Sequence, residues 1–111
     1  DEFIILLPES STKEAMGIAL RIRSGLVRCL QFQPEIERVL GYKVLIPEET
    51  KLSCSIGISE YQADRAADME DLLQQGDKAL YLAKYSGKNQ VRTWQEVLQS
   101  SGAKARFNEG N

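Results

Sequence analysis

At 111 residues the chain is sized for one domain, and a hydrophobic content of 42% is that of an ordinary globular protein and makes intrinsic disorder a poor reading. A formal net charge of −2 gives no general electrostatic attraction to nucleic acid or an anionic membrane. With no histidine and only two cysteines, a Cys/His zinc site, a histidine general base and a Ser-His-Asp triad are all excluded.

In chain order, Phe3-Ile4-Ile5-Leu6-Leu7 is a short continuous apolar run closed by Pro8, the pattern of a strand buried on both faces. A domain seldom begins with its central strand at residue 3, so residues upstream of Asp1 are expected. Ser11-Thr12-Lys13-Glu14 has the form of a capping box. Behind it Ala15, Ile18, Ala19, Ile22, Leu26 and Leu30 recur at helical spacing, which predicts an amphipathic helix of about five turns closing before Pro34. Arg21, Arg23 and Arg28 fall mostly off that stripe.

Residues 33–50 carry little pattern, although Tyr42–Ile46 has the composition of a short strand. Leu52, Cys54, Ile56 and Ile58 then alternate with Ser53, Ser55, Gly57 and Ser59, a strand with one bulky and one small face. The small face admits close approach by a helix or a ligand, and helix packing is the commoner use. Asp68 caps a second helix whose buried stripe is Met69, Leu72, Leu73, Gly76, Ala79, Leu80 and Ala83, with Gly87 as its stop. Gln90–Trp94 reads as a last strand, and a frayed tail is expected from about residue 99.

Cys29 and Cys54, both in apolar stretches, read as reduced core residues; a disulfide is the alternative. No run of about 18 apolar residues is present, and Asp1-Glu2 is not the basic start of a signal peptide. A cytoplasmic location is the expectation.

Three places carry candidate chemistry. Asp1-Glu2 offers adjacent carboxylates of the kind that hold Mg²⁺ together with substrate phosphates, or a solvated chain start. Lys84 and Lys88 are four apart and project to one side if the helix persists, which suits a polyphosphate or simply the helix C-terminus. Asp77 shares a face with Tyr81 and Lys84, either to hold a loop or as a solvated charge.

The order of these pieces is more specific than any one of them. Asp1-Glu2-Phe3 with Ile4–Pro8 resembles the end of the GGDEF motif and the strand after it. Ser53–Ile58 resembles the family's SIGI-type strand, and Asp77–Lys84 running on to Gly87-Lys88-Asn89 resembles its DKALYxAKxxGRN helix end. The chain is thus similar to the GGDEF domain of diguanylate cyclases, with residues 1–95 as a partial domain and 96–111 as a C-terminal tail.

The resemblance implies an α+β fold, a ferredoxin-like or palm-type sandwich of the nucleotidyl-cyclase kind, with its N-terminal part missing. It implies a nucleotidyltransferase in signal transduction that joins two GTP into cyclic di-GMP, as a dimer of domains using Mg²⁺ or Mn²⁺. An upstream sensory or regulatory domain is the usual partner, and nucleic acid is not. By position, Asp1 is the metal ligand and a catalytic acid, and Glu2 is the second catalytic acid. Lys84 and Lys88 bind phosphate, and Arg21 is the position of an inhibitory-site arginine.

Lys88 stands where the family has arginine, which keeps the charge but loses the bidentate fork. The two motif glycines, an upstream aspartate, the guanine-reading residues and the RxxD inhibitory site have no counterpart in these residues. The chain alone is therefore expected to be inactive, and a truncated module for nucleotide sensing or dimerisation is the alternative reading. The 33–50 loop is longer than is typical of the family.

Overall fold

The computed structural model describes residues 2–26, 28–62 and 68–100. Along the chain they form α1 (Thr12–Gly25), a short 3-10 helix (Cys29–Phe32), α2 (Gln33–Leu40), strand β1 (Ile56–Ile58), α3 (Met69–Tyr85) and strand β2 (Val91–Thr93). Residues 94–100 add a further helix, α4. The class is α+β. β1 and β2 are parallel, with Ile56 opposite Val91, Gly57 opposite Arg92 and Ile58 opposite Thr93. Parallel neighbours need a long crossover, which α3 supplies.

The packing of α3 on β1 is the centre of the structure. A Cβ at Gly57 would stand 2.2 Å from the Leu80 amide nitrogen and 2.4 Å from the Gly76 carbonyl oxygen. Helix backbone therefore lies directly against strand backbone, and the small face predicted for this strand serves helix packing. The helix residues that meet the sheet are small for the same reason: Ala79 and Ala83 are wholly buried. Ala19, Ile58 and Thr93 are the other buried residues among those described.

The rest of the predicted α3 stripe is less covered. Leu72, Gly76 and Leu80 are half-buried, whereas Met69 and Leu73 are exposed. Length explains this: α3 has 17 residues and is about 25 Å long, while a three-residue strand spans about 10 Å.

Both capping expectations hold. Ser11 Oγ accepts from the Glu14 amide at 3.1 Å and the Glu14 carboxylate accepts from the Ser11 amide at 3.2 Å. The Glu60 carboxylate also accepts from the Thr12 amide, adding negative charge at the positive end of α1. Asp68 accepts from the Asp71 amide at 2.8 Å, and Asp71 returns the contact at 3.3 Å. Asp68→Ala is expected to cost about 1 kcal/mol, lowering the thermal midpoint by about 4–8 °C in a circular dichroism melt.

Other elements depart from the sequence reading. Residues 3–7 pair with no strand among the described residues, and Phe3 to Leu6 are 62–89% exposed. The predicted doubly buried strand lacks the partners that would cover it. α1 stops at Gly25 rather than running to Pro34. Pro34 instead lies in the first turn of α2, where a missing N–H is not needed, and Gly41 at φ +81° caps that helix.

Tyr42–Ile46 is not a strand. The Val44 amide donates to the Glu37 carboxylate at 2.9 Å, and its carbonyl accepts from Gln33 Nε2 at 3.1 Å. Side chains of α2 thus satisfy the backbone groups that a ladder would have used. β1 is shorter than the alternating run predicted, since residues 52–55 lie outside it. Cys29 and Cys54 are both free and half-buried.

The predicted last strand is β2, but Trp94 opens α4 instead of ending the strand. Thr93 Oγ1 accepts from the Glu96 amide at 3.3 Å and Glu96 accepts from the Thr93 amide at 3.2 Å. That is a capping box, legible as Thr93-Trp94-Gln95-Glu96 and missed in the sequence reading. Helix continues to residue 100; residues 101–111 of the expected tail lie outside the described residues.

Candidate functional site

Lys84 sits in the last turn of α3, where a cation complements the helix dipole. Its Nζ donates to Glu2 Oε1 at 3.1 Å, joining residues 82 apart in sequence. Two of the positions singled out from sequence are thereby brought together. Asp1 lies outside the described residues.

The Lys84–Glu2 pair is open to solvent, with side chains 46% and 59% exposed. Such a pair contributes about 0–1 kcal/mol. An incoming phosphate can therefore take the place of the carboxylate on Lys84 and release Glu2. Among the described residues no group of three or more His, Cys, Asp or Glu side chains comes together. Glu2 is a single carboxylate already facing an ammonium, so the described residues do not by themselves make a divalent-cation site.

The helix does not persist to Lys88, in keeping with the stop predicted at Gly87. α3 ends at Tyr85, so the helical spacing from Lys84 does not carry through. Residues 86–90 form a turn in which Gly87, Lys88 and Asn89 have φ of +121°, +65° and +50°. A left-handed backbone costs a lysine about 1–2 kcal/mol. The turn is held by the Lys88 amide donating to the Ala83 carbonyl at 3.0 Å and by the Asn89 amide donating to Ser55 Oγ at 3.1 Å.

Arg23 of α1 donates from Nε to Asn89 Oδ1 at 3.3 Å. The sequence reading placed Arg23 off the apolar stripe without a function; no local pattern pairs it with a residue 66 positions away. Arg21 is exposed on α1, and among the described residues its side chain makes no hydrogen bond or ion pair. Asp77 and Tyr81 are also exposed; Tyr81 stacks on Tyr85 with ring centres 6.1 Å apart. A cleft lined by Arg28, Glu48, Glu49 and Lys51 belongs to the segment between α1 and β1 and shares no residue with Glu2, Lys84 or Lys88.

Residues 1–90 match the family described as diguanylate cyclase, GGDEF domain. The chain belongs to the GGDEF family. Its match takes in both partners of the Glu2–Lys84 contact and the turn that bears Lys88.

The GGDEF domain is 38% identical over 98 residues to diguanylate cyclase DosC of Escherichia coli K12, covering 88% of this chain and 18% of that protein. It is 31% identical over 91 residues to diguanylate cyclase A of Treponema denticola, covering 82% of this chain and 21% of the relative. The chain thus spans about a fifth of the length of these curated relatives. No solved structure gives a significant match. Membership of the GGDEF family implies a nucleotidyl-cyclase-like α+β fold, consistent with the helices and small sheet described. Among the described residues no helix is long and apolar enough to cross a membrane.

Proposed function

We propose that this GGDEF domain is the catalytic part of a diguanylate cyclase, joining two GTP into cyclic di-GMP with release of two pyrophosphates. The observation that carries the reading is the 3.1 Å contact between Lys84 and Glu2, which unites the two ends of the family's motif set. In this reading each domain of an antiparallel pair holds one GTP. The 3′-oxygen of each nucleotide forms a bond to the α-phosphorus of the other as the bond to its pyrophosphate breaks.

Lys84 and Lys88 hold the phosphates, and pyrophosphate leaves against their positive charge. Glu2, released from Lys84 as phosphate binds, is the acid beside the nucleophilic hydroxyl. Asp1 is the metal ligand and the other catalytic acid, with Mg²⁺ or Mn²⁺ supplying charge neutralisation at the phosphates when bound. Arg21, exposed on α1, is left for contact with product. The fuller architecture is a palm-type, ferredoxin-like sandwich over residues 1–95, working in the cytoplasm under an upstream sensory domain.

The chain by itself is inactive in this reading. Phe3, Ile4, Ile5 and Leu6 are exposed, and among the described residues no strand pairs with the segment that carries Glu2. The test compares this chain with a longer form of the protein bearing the two motif glycines, each incubated with GTP and Mg²⁺ and assayed chromatographically. Cyclic di-GMP is expected from the longer form only. A dimeric longer form that makes none, yet binds GTP, would leave the nucleotide-sensing role in its place.

A further inference from the structure

We infer that Ser55 and Arg23 are positioning residues for Lys88, a role that rests on the reading of Lys88 as a phosphate contact. Three successive positive φ angles, at Gly87, Lys88 and Asn89, are a conformation that a lysine does not choose unaided. Backbone of this kind persists where its surroundings over-determine it, and such strain gathers at functional sites. Here the surroundings come from α1 and from the chain entering β1.

Ser55, the residue before β1, receives the Asn89 amide at 3.1 Å, and Arg23 of α1 holds the Asn89 side chain at 3.3 Å. The Ile56 amide donates to the Gln90 carbonyl at 3.0 Å, which registers the far end of the turn on the sheet. Within the turn, Gln90 Nε2 donates to the Ser86 and Lys88 carbonyls at 3.0 and 3.2 Å. None of these bonds touches the Lys88 ammonium. They act on the backbone on either side of it.

Removing the Ser55 hydroxyl leaves the Asn89 amide to water and takes away one of the bonds that hold the turn against relaxation toward right-handed φ. The Cα–Cβ direction at Lys88 then changes, and its ammonium is spread over many positions. The fold is centred on the packing of Gly57 against Gly76 and Leu80, none of which makes this contact, and is retained.

The experiment is a double-mutant cycle on the longer form of the protein, titrated calorimetrically with GTP and Mg²⁺. Ser55→Ala is expected to weaken GTP by about three- to tenfold, and to have no further effect in a Lys88→Ala background. A purely structural role would lower affinity equally in both backgrounds, and that result would overturn the inference. Arg23→Ala, at a partly exposed position, passes through the same cycle should Ser55→Ala fail to fold.

Loss of affinity from Arg23→Ala that persists without Lys88 would identify a direct anion contact and overturn the positioning role. If Lys88→Ala weakens GTP while both other variants are inert, the positioning role alone fails. If Lys88→Ala is inert, or the unsubstituted protein binds no GTP, the phosphate reading of Lys88 fails and the inference goes with it.

Discussion

Gly57→Ala is expected to destabilise the chain by about 3 kcal/mol or more, at the upper end of overpacking effects. The added carbon would meet the Leu80 nitrogen at 2.2 Å, the Gly76 oxygen at 2.4 Å and the Leu80 Cα at 2.8 Å. These are backbone atoms of one helix, so no side-chain rotation relieves the clash. α3 would have to withdraw by about 1 Å or more to restore ordinary contact distances. Withdrawal loosens Ala79 and Ala83, which are wholly buried and too small to fill the gap.

A drop in thermal midpoint of about 12 °C or more follows from that free energy for a domain of this size. Urea unfolding followed by circular dichroism measures it directly. A loss below about 1 kcal/mol would mean that strand and helix do not meet backbone to backbone as described.

Lys84→Ala is expected to act in the opposite way, sparing stability and removing ligand affinity. The only polar partner of its side chain among the described residues is Glu2, in an exposed pair, so the fold should lose no more than about 1 kcal/mol. A hydrogen bond from a charged donor to phosphate contributes about 1.5–3 kcal/mol, so GTP affinity should fall by about 10- to 100-fold. Titration calorimetry with Mg²⁺, repeated at two salt concentrations, checks both the size and the electrostatic origin. Undiminished affinity with an unchanged melt would remove Lys84 from the site.

The two substitutions separate what the α3–β1 contact does for the fold from the GTP contact proposed for the end of α3. Both features lie on one helix. Gly76 and Leu80 lie on the face under the strand, and Lys84 stands one turn beyond Leu80. Placing the cation is therefore a consequence of how closely the helix is seated, and a Gly57 substitution that shifts α3 should disturb GTP binding as well.

Local signals were legible in the residues alone. Ser11 and Asp68 as caps, the α3 span, the small face at Gly57 and the motif order all follow from short-range rules of hydrogen bonding and periodicity. The family was legible in the same way, because its motifs are short and lie in a fixed order. What periodicity could not show was coverage. Phe3–Leu7 has the composition of a buried strand, but burial depends on partners that no local pattern reports, and here Phe3 to Leu6 are exposed.

The same limit explains the misread elements. An apolar spacing through Leu30 suggested one long helix, whereas the chain ends α1 at Gly25 and restarts around Pro34. Tyr42–Ile46 looked like a strand until Glu37 and Gln33 took up the Val44 backbone groups. The sequence alone determined the family, the caps of α1 and α3, and the candidate charges at Glu2, Lys84 and Lys88. Only the tertiary structure decided that Glu2 meets Lys84, and that Ser55 and Arg23 hold the turn beyond α3. Those are contacts between residues 34 to 82 positions apart, and their existence depends on how the helices seat on the sheet, which no short window of sequence contains.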